Sequence, residues 1–87
     1  MLGITPLNTY PAGRCGTIVS IEADGHLADR MHALGLTPGR FIRVMRRSPW
    51  RGPIHVRAGQ TDLILRRAEA ALVRVTPFIP THAPGQK

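Results

Sequence analysis

Nine glycines and eight prolines are spread through 87 residues, so no regular element can run far before the backbone turns or stops. The pieces between them are short. After Pro11-Ala12-Gly13, residues 14–22 are rich in Ile, Val and Thr, side chains that suit an extended strand, and Ala23-Asp24-Gly25 ends it. Over residues 27–34 the apolar side chains Leu27, Met31 and Leu34 recur at i, i+4 and i+7, one face of a two-turn helix with Asp29 and Arg30 on its outer side. Gly35 stands where a helix closes through a left-handed residue, and Leu36 behind it can fold back onto the last turn. In Thr37-Pro38-Gly39-Arg40, Pro and Gly occupy the centre of a type II turn, where φ is first fixed and then positive. Gly35, Pro38 and Gly39 are therefore read as architecture.

A strand over residues 41–47 follows. Ile42 and Val44 alternate with Arg43 and Arg47, while Phe41 and Met45 share the arginine side, a pattern for a sheet covered in part on both faces. Pro49 and Pro53 bound a stiff loop that carries Trp50 and Arg51. Residues 54–57 alternate Ile54 and Val56 with His55 and Arg57, and Ala58-Gly59-Gln60 joins them to residues 61–65 as a hairpin. A helical turn at residues 67–70 precedes the last strand, residues 72–75, and Arg66 and Glu69, three apart there, pair with each other or cap backbone groups. Five short strands and one brief helix define an all-β chain with a short α-helix, a small SH3-like antiparallel β-barrel. Closure would remove edges that so short a chain has little material to cover, and an OB-like barrel satisfies the same periodicity. One domain, residues 1–75, is expected, with residues 76–87 and their three prolines as a flexible C-terminal tail.

Lys and Arg number 12 against 5 Asp and Glu, so the formal charge is 12 − 5 = +7, and every cation but Lys87 is arginine. Such a balance points to an anionic partner: nucleic acid, an acidic protein face or a lipid surface. No stretch approaches the roughly 20 apolar residues of a spanning helix, and no charged start with an apolar run marks a secretory signal. The single Cys15 excludes an internal disulfide. These features favour the cytoplasm, without direct membrane insertion.

Catalysis has little support. A domain of this size buries only about 60% of its unfolded surface and has little room for a deep pocket. The five acids form no pair on one element, Cys15 has no His or Asn partner nearby, and Gly35-x-x-x-Gly39 lacks the Lys-Ser/Thr of a phosphate loop and follows a helix. No enzyme and no nucleotide site are expected. Nor is a metal site assigned: His26, His32, His55, His82 and Cys15 show no Cys-x-x-Cys or His-x-x-x-His spacing, so no cofactor is required, and only weak or adventitious divalent transition metal is left open.

Binding residues stand out more. Trp50, the sole tryptophan, either plugs one end of the barrel or anchors a partner. Arg51 beside it, with Arg43, Arg46, Arg47 and Arg57 on two neighbouring strands, makes one basic surface if those strands pair. Leu27, Met31 and Leu36 offer a hydrophobic cleft between helix and barrel for a partner peptide. A nucleic-acid-binding basic barrel is the alternative, but the strands lack the interleaved aromatics that stack bases, so no nucleic acid is expected.

In order along the chain, Gly13, Gly16 and Ile18, then Leu34-Gly35-Leu36-Thr37-Pro38-Gly39, then Val44 and Arg47, Ser48-Pro49, Pro53-Ile54, and Leu65-Arg66-x-x-Glu69-Ala70 before Val73 and Val75 resemble the FeoA family over residues 5–75. One departure stands in the central loop, where Arg51-Gly52 replace the family's usual Gly-Asp before the second proline. The resemblance implies an SH3-like fold, also similar to the C-terminal domain of iron-dependent repressors, which makes a metal-responsive regulatory domain a further alternative. It implies a small cytosolic accessory protein of bacterial ferrous iron uptake. Its partner would be a FeoB-type membrane GTPase transporter, which would bring it to the inner membrane, and a homo-oligomer is left open.

Overall fold

The structure, a computed structural model, describes residues 3–77. Strands β1 (Thr5–Pro6), β2 (Cys15–Ile21), β3 (Phe41–Arg47), β4 (Ile54–Ala58), β5 (Thr61–Leu65) and β6 (Val73–Pro77) form one antiparallel sheet in the order β1-β6-β2-β3-β4-β5. A 3₁₀ turn, Leu7–Thr9, follows β1; helix α1 (Gly25–Ala33) joins β2 to β3, and α2 (Arg67–Ala70) joins β5 to β6. The fold is the all-β, SH3-like one with a short helix. Two register shifts bend it, one between Ile18 and Ser20 in β2 and one between Val44 and Arg46 in β3. An extra residue on one strand of a pair increases local twist and lets a small sheet curl around its own core.

The ring of hydrogen bonds is not completed: β1 and β5 are the ends of the ladder, and α2 packs on both β5 and the 3₁₀ turn across the gap. Side chains, among them fully buried Leu7 and Ala70, cover the seam. Inside, Ile42 and Val44 of β3 face Ile54, Val56 and Ala58 of β4 and Val73 and Val75 of β6. Each such Ile or Val side chain contributes about 1.5–3 kcal/mol by leaving water. At Gly16 a Cβ would lie 2.9 Å from the Thr76 carbonyl oxygen and 3.0 Å from the Tyr10 ring, so only glycine lets that ring lie across β2.

The close of α1 follows the local chemistry. Leu36 N–H donates to the Met31 carbonyl (3.0 Å) and Gly35 N–H to the His32 carbonyl (2.9 Å), with Gly35 at φ 92°, a Schellman arrangement. Its hydrophobic closure places both Met31 and Leu36 in the core at 1% exposure, with half-buried Leu27 packed against it. The expected cleft at Leu27, Met31 and Leu36 is thereby corrected: the capping contact consumes those surfaces, and no cavity opens among the described residues. The last strand also runs to Pro77, two residues past the expected domain boundary, because Thr76 and Pro77 pair with Thr17 and Gly16. The rest of the expected tail, residues 78–87, lies outside the described residues.

Glu69 ties the two helices together. One carboxylate oxygen accepts the Arg66 backbone N–H (2.9 Å) and the other the Arg30 guanidinium (2.7 Å), in a side chain only 12% exposed. The Arg30 hydrogen bond, then the backbone one, holds its pKa below the ordinary carboxylate value. A depressed carboxylate stabilises the fold above its unfolded pKa, and that contribution is lost as pH falls through the folded value. Glu69→Gln should therefore cost about 1 kcal/mol at pH 7, discounted for the exposed Arg30 end. Wild-type and variant melting temperatures should converge as the pH drops through the carboxylate range. A gap independent of pH would assign the effect to packing.

Candidate docking surface

Register decides which arginines meet the solvent together. β4 alternates inward Ile54, Val56 and Ala58 with outward His55 and Arg57. Across the sheet, Cys15, Arg43, Arg57 and Asp62 form one outward row, and Arg46, His55 and Ile64 form the next. The pairing of β3 and β4 thus brings Arg43, Arg46 and Arg57 to one face. Arg43 and Arg57 stand directly opposite, a like-charge pair that is unfavourable unless another group intervenes. Asp62 intervenes: it accepts Arg57 Nε (2.7 Å) and Nη2 (3.3 Å). That pairing holds the Asp62 pKa below the usual carboxylate range and pushes the Arg57 pKa further up. Arg57 is consequently a matched charge, which corrects its reading as a cation available to a partner. Arg43, Arg46 and Arg51 have no acid within ion-pair distance among the described residues.

Arg47 is corrected more fully. Its Nη1 donates to the carbonyl oxygens of Asn8 (2.9 Å) and Tyr10 (2.7 Å), strapping the N-terminal segment to β3. The cause is the bulge. Simple alternation puts Arg43 and Arg47 on one side, but the extra residue after Val44 reverses the parity, so Arg46 pairs with outward His55 and Arg47 with inward Ile54.

Trp50 plugs nothing. At 94% exposure it stands on the loop after β3, and both it and Arg51 adopt left-handed backbone, φ 61° and 62°. Gly52 N–H donates to the Pro49 carbonyl (3.2 Å), closing a turn with the φ signs of type I′, a geometry that ordinarily selects Asn-Gly. Ser48 N–H donates to the Pro53 carbonyl (3.2 Å) at its base. Ile64, 65% exposed in the row nearest this loop, was not singled out by sequence. Leu63, Ile64 and Leu65 are consecutive apolar residues, and only pairing with β4 decides which of them faces out. Among the described residues no three His, Cys, Asp or Glu side chains come together as a metal-binding group. No helix among them is long and apolar enough to cross a membrane.

An SH3-like sheet whose outward face carries guanidinium groups unmatched by acids among the described residues, with a projecting tryptophan at its end, defines a small SH3-like domain. The FeoA domain model matches residues 5–77, and the chain belongs to the FeoA family. It is similar to a crystal structure described as the iron uptake regulatory protein FeoA, at 28% identity over 87% of this chain and 100% of that one, TM-score 0.80. It is likewise similar to Stenotrophomonas maltophilia FeoA complexed with zinc, described as a prokaryotic SH3 domain protein (28%, 82% and 88% covered, TM-score 0.72). A manganese-dependent transcriptional repressor shares the fold at 22% identity, over 90% of this chain and 44% of that one, TM-score 0.81. No curated protein sequence matches significantly.

Proposed function

We propose that this FeoA-family chain is an accessory protein of bacterial ferrous iron uptake that docks on the cytosolic part of a FeoB-type transporter. It performs no catalysis and leaves nucleotide chemistry and the passage of iron to that partner. Family membership supports the reading, as do two similar proteins: one described as an iron uptake regulator, the other as a possible ferrous iron transport activating factor. The observation that carries the mode of action is the outward pair Arg43 and Arg46 on β3, unmatched by acids among the described residues and set beside exposed Ile64. Guanidinium groups so placed can meet carboxylates bidentately and steer association from a distance.

The test is Arg43→Glu combined with Arg46→Glu, with Arg47 left intact because it holds the fold. Affinity for the transporter's cytosolic domain should fall at least about tenfold, mostly through slower association at low salt. Ferrous uptake in cells carrying the variant should fall with it. Unchanged affinity at low salt would overturn this docking face.

A further inference from the structure

Residues 30–61 contain seven arginines and no Asp or Glu, and the loop bearing Trp50 lies within that stretch. We propose that the tip of this loop is a membrane-surface contact: Trp50 enters the headgroup layer of an anionic bilayer while Arg51, with Arg46 behind it, meets lipid phosphates. The contact is at headgroup depth and is not a spanning segment. It goes beyond the docking on a transporter and does not depend on it.

Three observations carry the assignment. Trp50 is the most exposed large apolar side chain among the described residues, and the indole, apolar with one N–H, partitions to membrane interfaces. The loop presents it in a set geometry, with Pro49 and Pro53 as flanks and two backbone hydrogen bonds across its base, so little ordering is required on contact. Finally, Arg51 and Arg46 have no acid partner among the described residues, and Asp62, the nearest acid on the neighbouring strands, is held by Arg57. Each arginine close to an anionic surface strengthens binding by about fivefold. Two arginines and one indole make a weak, reversible contact. Such a contact raises the concentration of the domain where a membrane-embedded partner resides.

Trp50 is the only tryptophan, so fluorescence of the full chain excited beyond the absorption of Tyr10 reports this residue alone. With phosphatidylglycerol vesicles at low salt its emission should shift to the blue and the protein should co-sediment. Phosphatidylcholine vesicles should produce neither effect, and about 0.5 M salt should abolish both. Arg51→Glu should weaken co-sedimentation at least about fivefold, and Trp50→Ala should reduce it similarly in a protein whose circular dichroism is unchanged. Emission that stays at the water-exposed position with anionic vesicles overturns the proposal. So does co-sedimentation indifferent to Trp50→Ala, or an equal response to both lipids. A blue shift only on adding the transporter's cytosolic domain also overturns it, and makes Trp50 a protein anchor. Because the docking test reads affinity for the soluble cytosolic domain and this one reads vesicles alone, failure of either reading is told apart from failure of the other.

Discussion

Replacing Arg47 by Met should lower the melting temperature by roughly 10–20 °C, although the side chain is only half-buried and belongs to a type usually found on surfaces. Its Nη1 satisfies the carbonyls of Asn8 and Tyr10, and Tyr10 itself is a core residue, 2% exposed. A hydrogen bond from a charged donor contributes about 1.5–3 kcal/mol, and losing it leaves acceptors without a donor. Two such bonds share one nitrogen, so a total of about 2–4 kcal/mol is expected, at about 4–8 °C per kcal/mol in a domain of this size. Arg46→Met is the control. It removes the same charge from the neighbouring residue, which bonds nothing among the described residues, and should move the melting temperature by only about 2–4 °C. Equal shifts for the two variants, followed by circular dichroism, would show that the strap carries no stability.

The second large effect has the opposite sign. Trp50→Asn with Arg51→Gly should raise the melting temperature by roughly 5–20 °C, because both positions hold left-handed backbone that costs bulky L-residues about 1–2 kcal/mol each, less about 1 kcal/mol that the added glycine loses in chain entropy. Asn-Gly is the pair that a type I′ turn accommodates best. Neither replaced side chain gives up a buried contact, since both are exposed. The same variant should lose its hold on anionic vesicles, which would make the loop a place where stability is sacrificed for a surface. A melting temperature that is unchanged or lower would remove the argument for strain.

How legible this protein was depended on the range of the interaction that decides each feature. Residues 41–47, 61–65 and 67–70 are regular elements at the bounds read from sequence, and Gly35 and Gly39 have the positive φ expected of them. Those features rest on alternation and on φ restrictions a few residues wide. Strand β1 carries no such local signal, because its two residues are extended only through pairing with Val75 and Arg74, about 70 positions away. Alternation indicates a basic face but not its membership. Arg57 is matched by Asp62 across the β4–β5 ladder, and Arg47 is turned away by one extra residue in β3.

Backbone punctuation and composition were enough to define a small all-β domain with one capped helix and an excess of arginine. Those properties follow from each residue's own conformational limits and from the sum of the charges. Tertiary structure alone decided which arginines remain unmatched, that Trp50 stands in solvent, and that Met31 and Leu36 are core. A side chain's facing depends on register, and register is set by partners far away in the chain. One bulge after Val44, invisible to periodicity, separates Arg46, which is free to meet a partner, from Arg47, which holds the fold together.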